Sequence, residues 1–205
     1  MKSQLKRSEY TLTENEIRSI INNTMGFRDR LIIKCLYYGG MRAHEVTKLL
    51  IESVDHQRKV ITVIGKFNKL RAIPILDLGY LTDIKHYLGQ RIKGFVFLSN
   101  RCKPMTVRNV EYIVSRAATK ASIVNPNPLM SHVNPHMFRH SIARHLKDKR
   151  YPLEFIQKFL GHASSKTTAD TYGTLSLHEM QKLIARETGD INLLDDNYKQ
   201  NRLIN

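Results

Sequence analysis

The chain has few cysteines and no long hydrophobic segment. Its 205 residues include only Cys35 and Cys102, too few for a disulfide scaffold or a four-ligand zinc site. We therefore expect a reducing cytoplasm and two thiols packed in the core. No apolar run approaches the roughly 18 residues that a membrane span needs, and residues 1–10 lack the apolar segment of a signal peptide. These absences argue against export and against a chain that spans a membrane, and we expect no membrane partner.

Acidic residues are scarce beside basic ones. The sequence has 18 Asp and Glu against 33 Lys and Arg, a net charge of +15 at pH 7. Its 41% hydrophobic and 25% charged residues are close to globular averages, so the chain is expected to fold. Such an excess of positive charge indicates a polyanionic partner. Nucleic acid is favoured, which would place the protein at the nucleoid; a ribosomal or membrane-surface protein is the alternative.

Apolar spacing and helix caps predict a mainly helical chain. Thr13 and Glu16 have capping-box spacing at the start of the first helix. The pair Asn134-Pro135 combines a capping residue with a proline suited to the first helical position, and predicts a helix to about residue 146. The other predicted helices cover residues 27–38, 42–50, 80–92, 107–121, 152–161, 165–173 and 176–187.

Two short β-branched runs, residues 60–64 and 72–76, predict an antiparallel hairpin with a lysine-rich tip. Pro74 favours an edge position for the second strand, and residues 95–98 are expected to add a third strand. The predicted fold class is therefore α+β, mainly α, with one small antiparallel sheet. We expect a basic leader at 1–10, one domain at 11–189 and a tail at 190–205.

One face of the helix predicted at 135–146 carries His136, Arg139 and His140, beside an apolar stripe. Two imidazoles and a guanidinium can bind a phosphate, and a histidine can exchange a proton near neutral pH. The two histidines also have the spacing of a zinc pair. That alternative needs a third ligand and a site without the positive charge of Arg139.

Two further positions favour an anion. Arg42 follows a glycine pair at the start of a helix, where backbone amides attract negative charge; the alternative is an ion pair with Glu45. The hairpin tip would carry three basic residues that can contact a phosphate backbone, or form an ordinary solvated turn: Lys66, Lys69 and Arg71. Further along the chain, His162 and Tyr172 flank a polar segment.

This inventory suits phosphodiester transfer. The reaction needs a nucleophile, cations on the nonbridging oxygens and an acid for the leaving alkoxide. Tyr172, the pair Arg42 and Arg139, and either Lys66 or a histidine can fill these roles. The sequence shows no Asp/Glu cluster suited to two magnesium ions, so we expect a mechanism with no metal and no cofactor.

Four motifs in order resemble the tyrosine recombinases, the family of phage integrases, Xer-type resolvases and fimbrial-switch invertases. They are GMRAHEVTKL, VIGKFNKLRAIPI, HMFRHSIARHL and LGHASSKTTADTYG, and they span most of residues 11–180. The resemblance implies the recombinase catalytic fold and a site-specific enzyme that cuts and rejoins DNA without metal or ATP.

The resemblance also assigns roles to individual residues. It implies that Arg42 and Arg139 clamp the scissile phosphate, and that Tyr172 forms a 3′-phosphotyrosyl bond. Lys66 would be the general acid. The resemblance further implies that His136 and His162 bind the phosphate and assist proton transfer. Glu45 would be a buried supporting residue, and His140 would support the residues that contact the phosphate. The DNA contacts expected from Lys69 and Arg71 rest on the basic hairpin tip alone.

Two features depart from the family pattern. Phe67 follows Lys66 where members with this hairpin often have glycine, so the tip either folds differently or inserts an aromatic ring against DNA. The motifs also begin almost at Met1, without the helical core-binding domain that usually precedes them. The chain is either a short, invertase-like member or the catalytic part of a longer protein.

The resemblance implies double-stranded DNA as partner, a tetramer on paired DNA sites and accessory proteins in some systems. The tail at 190–205 either packs on its own domain or docks on a neighbouring protomer. Two other functions fit the same residues: a DNA-binding regulator without catalysis, and a type IB topoisomerase that needs no paired site. The sequence leaves the DNA target open, and with it the choice among integration, excision, inversion and dimer resolution.

Overall fold

The computed structural model describes residues 10–65, 70–161 and 175–189, which form helices and one small sheet. The chain divides into two compact units, residues 1–163 and 164–205. The elements of the first unit are α1 (Glu14–Asn23), α2 (Phe27–Tyr38), α3 (Ala43–Thr47), β1 (Val54–Asp55), β2 (Val60–Ile64), β3 (Leu70–Pro74), α4 (Leu78–Leu88), α5 (Val107–Lys120), α6 (Pro135–Asp148) and α7 (Leu153–Leu160). The second unit contains α8 (Leu177–Thr188). The predicted fold class, mainly helical with a small antiparallel sheet, is confirmed.

Local capping explains where several helices begin. The Thr13 side chain accepts from the backbone of Glu16, and the Glu16 carboxylate accepts from the backbone of Thr13, so the predicted capping box is present. Asn134 caps α6 as predicted. The second unit repeats the device, since Ser176 and Glu179 form a capping box at the start of α8.

The sheet has the strand order β1-β2-β3, and both pairs are antiparallel. Pro74 lies in an edge strand, as predicted. The hairpin ladder extends to the pair Ile64 and Leu70, so β3 begins two residues earlier than expected.

The third strand was wrongly predicted at residues 95–98. Strand β1 occupies the other edge of β2 instead, and the backbone of Val96 donates to Leu49 outside the sheet. A two-residue strand has no periodicity that a sequence pattern could detect.

Helix α2 lies at the centre of the first unit, where it contacts α1, α3, α4, α5 and α6. Its buried side chains include Ile32, Cys35 and Leu36, and α6 contributes Phe138 to the same core.

The expectation that both thiols lie in the core was wrong for Cys102, which is exposed and lies at a positive φ of 54° in a turn. No helix in the described part of the chain is long and apolar enough to cross a membrane.

Candidate active site

Arg42 lies at the N-cap of α3, two residues after the glycine pair Gly39 and Gly40. The Glu45 carboxylate accepts from the Arg42 backbone N at 2.7 Å and from its Nη1 at 3.1 Å. The ion pair considered as an alternative is therefore present. It does not bury Arg42, whose side chain remains 32% exposed.

Arg139 lies in α6, and only 3% of its surface is exposed. Its guanidinium donates to the backbone carbonyls of Gly40 and Leu160. Burial, together with the nearby charges of Arg42 and Arg71, lowers the pKa of Arg139 to about 9. The group therefore keeps its positive charge at neutral pH, in a position fixed by two segments distant in sequence.

Arg42 and Arg139 both line a cavity of about 300 Å³. The Asn134 side chain accepts from the backbone N of His136 and of Met137 at the start of α6, where the helix dipole favours an anion. The residues that line the cavity are Met41, Arg42, Ala43, Glu111, Asn134, Pro135, His136 and Arg139. Two guanidinium groups beside a helix N-terminus can hold a phosphate.

His136 and His140 pack edge to face, with ring centroids 4.2 Å apart. His136 is exposed and lines the cavity, whereas His140 is half-buried and does not line it. Among the residues that the structure describes, no third His, Cys, Asp or Glu joins them in a group able to hold a metal ion.

Glu45 is buried, with 2% of its surface exposed, and it also forms a salt bridge with a second arginine, Arg71. Arg71 Nη2 donates to Glu45 Oε2 at 2.8 Å, and Arg71 Nη1 donates to the carbonyl of Phe159. The expectation that Arg71 lies at an exposed hairpin tip was wrong, since it occupies the buried face of β3 together with Ile73. In this position the guanidinium faces the protein interior.

Five of the residues singled out in the sequence fall outside the described part of the chain. Lys66, Phe67 and Lys69 lie between residues 65 and 70, and His162 and Tyr172 lie between residues 161 and 175. Their roles remain predictions.

Several groups of the site were missed by sequence reasoning. Asn134 was recognised as a cap but not as part of a cavity, and Glu111 was not considered. The carbonyls of Gly40 and Leu160, which hold Arg139, carry no side-chain signal at all. The alternation of β3 could have identified Arg71, because a residue two positions from buried Ile73 shares its face.

Gly40→Ala is expected to destabilise the first unit. Gly40 has a φ of +52°, and a Cβ there would lie 2.9 Å from both Leu160 Cδ2 and Phe159 Cε1. Strain at positive φ and this contact together should cost about 1–3 kcal/mol of unfolding free energy, measured by urea unfolding. Gly89→Ala is the control, because Gly89 lies in the same unit and has a φ of +55° with nothing within 4 Å. An equal loss in both variants would show that the close contact contributes nothing.

Comparison with known proteins identifies the family. The model of the phage integrase family matches residues 10–178. Tyrosine recombinase XerC of Lacticaseibacillus casei is 31% identical over 183 residues, covering 80% of this chain and 59% of the relative. Tyrosine recombinase XerA of Pyrococcus furiosus is 33% identical over 184 residues, covering 86% and 61%. The chain thus spans about three fifths of the length of these curated relatives.

Solved structures agree with this match. The crystal structure of XerA recombinase superposes with a TM-score of 0.66 at 26% identity, covering 86% of this chain and 64% of that one. The lambda integrase catalytic core gives a TM-score of 0.60 at 20% identity, covering 77% and 94%, which supports the fold. The family match and the shared fold show that the chain belongs to the phage integrase family, whose curated relatives are named tyrosine recombinases.

Proposed function

We propose that this protein is a site-specific DNA recombinase that cuts and rejoins double-stranded DNA through a phosphotyrosine at Tyr172. The observation that supports the proposal most is the cavity that Arg42 and Arg139 share at the start of α6. The cluster around it contains the guanidinium groups of Arg42, Arg71 and Arg139, and they outnumber the carboxylates of Glu45 and Glu111. A phosphodiester would supply the missing negative charge.

In the proposed cleavage step, the Tyr172 hydroxyl attacks the scissile phosphorus. The new O–P bond joins the tyrosine to the 3′ side of the strand, and the bond from phosphorus to the 5′ oxygen breaks. Arg42 and Arg139 stabilise the charge that develops on the nonbridging oxygens. His136 and His162 would bind the same phosphate, and one of the two imidazoles would accept the tyrosine proton.

The leaving 5′ oxygen takes a proton from Lys66 as the bond breaks. In the reverse direction, the 5′ hydroxyl of a second strand attacks the phosphotyrosine, restores the diester and releases Tyr172. The bond energy is kept in the phosphotyrosine, so the proposed cycle uses no ATP and no metal ion. Lys69 would add a DNA contact beside the site.

Relatives support DNA as the partner. XerH, 25% identical to this chain with a TM-score of 0.63, was crystallised on its difH substrate in a pre-cleavage complex. A lambda integrase tetramer was crystallised on a Holliday junction. We propose a homotetramer on two DNA sites in the cytoplasm, with the tail at 190–205 docking on a neighbouring protomer and accessory proteins in some reactions.

Tyr172→Phe is expected to abolish covalent attachment to DNA. The substitution removes one oxygen and no positive charge, so DNA binding should change little. The experiment incubates the full chain with nicked duplexes of randomised sequence, isolates adducts on a denaturing gel and sequences the attached DNA. The wild-type protein should form adducts enriched in one sequence.

Each other outcome identifies a different function. An adduct in Tyr172→Phe would move the nucleophile to another tyrosine. Binding without any wild-type adduct would favour the DNA-binding regulator. Adducts without sequence enrichment, together with relaxation of arbitrary plasmids, would favour a type IB topoisomerase.

A further inference from the structure

Arg71 connects three elements next to the cavity. It belongs to β3, and its guanidinium binds Glu45 in α3 and the carbonyl of Phe159 in α7. Its side chain is only 8% exposed. Burial lowers the pKa of Arg71 even though Glu45 lies beside it. A buried charge is costly unless an opposite charge and hydrogen bonds offset its lost hydration.

Through Glu45, Arg71 acts on Arg42. The Glu45 carboxylate has two oxygens, and both are used: Oε1 accepts from the Arg42 guanidinium, and Oε2 accepts from the Arg42 backbone and from Arg71. Because Arg71 fixes the carboxylate from one side, the carboxylate can hold the cavity arginine from the other. The three residues form one hydrogen-bonded chain.

Through α7, Arg71 is connected to Arg139. The last carbonyls of a helix have no partner within the helix and attract cations. At the end of α7, neighbouring carbonyls receive two arginines: Phe159 accepts from Arg71, and Leu160 accepts from Arg139. The end of this helix is thus fixed by β3 and by α6 at once.

The close packing at this junction depends on Gly161. This residue ends α7 with a left-handed φ of +62°, and a Cβ on it would clash with Arg71 Cδ. No side chain fits between the arginine and the end of the helix. His162 follows directly in the sequence, and Leu70, the first residue of β3, follows the segment that contains Lys66.

We propose that Arg71 is a positioning residue for the strand-transfer reaction and makes no DNA contact. It fixes Arg42 through Glu45 and the end of α7 through Phe159, so the two cavity arginines are held relative to each other. This inference rests on the proposed recombinase function for its catalytic consequence. It requires the planar fork of arginine, because a lysine ammonium is a point charge that cannot reproduce the two directed bonds.

The test compares Arg71→Lys with wild type in the full chain. Lysine keeps the charge beside Glu45, so the variant should fold. With the duplex selected by adduct formation, cleavage at saturating DNA should fall about 10- to 100-fold, the scale of effect expected from a displaced catalytic group. The Kd for that duplex and its salt dependence should not change. Arg144→Lys is the matched control, since Arg144 pairs with Asp148 on the exposed surface of α6.

Hydrogen exchange supplies a readout that needs no cleavage. Amides of α3 and α7 should exchange faster in Arg71→Lys, and those of α4 should not. If wild type forms no adduct, the proposed function fails, and exchange alone decides whether Arg71 connects these helices.

Two results would overturn the inference. If Arg71→Lys cleaves DNA and exchanges its amides at the wild-type rates, the arginine fork is not needed to position the site. Weaker DNA binding with a salt slope reduced by about 0.9, and normal cleavage at saturation, would make Arg71 a phosphate contact.

Discussion

Glu45→Gln is expected to lower the free energy of unfolding by about 3–5 kcal/mol, the loss typical of removing one partner from a buried ion pair. The Glu45 side chain is completely buried, and it balances Arg42 and Arg71. Glutamine has nearly the same shape but removes the charge, and its amide would point N–H donors at a guanidinium. Urea unfolding at pH 7 measures the loss as a lower midpoint at unchanged slope.

Asp148→Asn is the matched control for this substitution. Asp148 also pairs with an arginine, Arg144, but both side chains are more than half exposed. Exposed pairs contribute about 0–1 kcal/mol, so the control should lose little stability. Similar losses in the two variants would show that the Glu45 carboxylate does not compensate buried charge.

A second substitution, Arg71→Met, should lower the free energy of unfolding by less in the Glu45→Gln protein than in wild type, because Arg71 and Glu45 are coupled.

Lys66→Ala is expected to slow cleavage of ordinary DNA by about 10² to 10⁴-fold, the contribution usual for a positioned general acid. When Tyr172 attacks, the departing 5′ oxygen becomes a strongly basic alkoxide unless it is protonated as the bond breaks. Rates of adduct formation on the selected duplex, under single-turnover conditions, measure the effect. Binding affinity should change far less than the rate.

A substrate with sulfur at the 5′ bridging position distinguishes the general acid from the residues that stabilise charge on the phosphate. Sulfur leaves as a thiolate, which is stable near neutral pH because a thiol has a pKa of about 8.5. Lys66→Ala should therefore cleave the phosphorothiolate at close to the wild-type rate, whereas Arg139→Ala should remain slow on both substrates. If sulfur instead rescues Lys69→Ala or His136→Ala, the acid is that residue and Lys66 is misassigned.

The sequence predicted those parts of the fold that depend on local chemistry. Thr13 starts α1 and Asn134 starts α6 because capping involves only neighbouring residues. The predicted helix α4 began two residues after the observed start and ended four residues after the observed end. Asp77 caps it and Gly89 ends it at a φ of +55°, and neither signal was used. Strand β1 was not predictable, because only its pairing with β2 defines it.

For the candidate site, the sequence identified the charged groups but not how they are held. Arg42 and Arg139 were named, and both line one cavity. Their supports are backbone carbonyls and a buried partner from another element, and such contacts depend on tertiary packing. Arg71 shows the difference: its charge suggested DNA, whereas its position on the buried face of β3 directs it to Glu45.

The contacts around Arg139 also determine when the site can exist during synthesis. Arg139 and Gly40 are 99 residues apart, and Arg71 and Phe159 are 88 apart. Contacts between such distant residues form late, and a nascent chain emerges from its N-terminus. A ribosome-bound chain that ends before Leu160 lacks an acceptor of Arg139, so the phosphate clamp cannot assemble on it. A protein that we propose to cut DNA thus acquires its clamp only after synthesis has passed the end of α7.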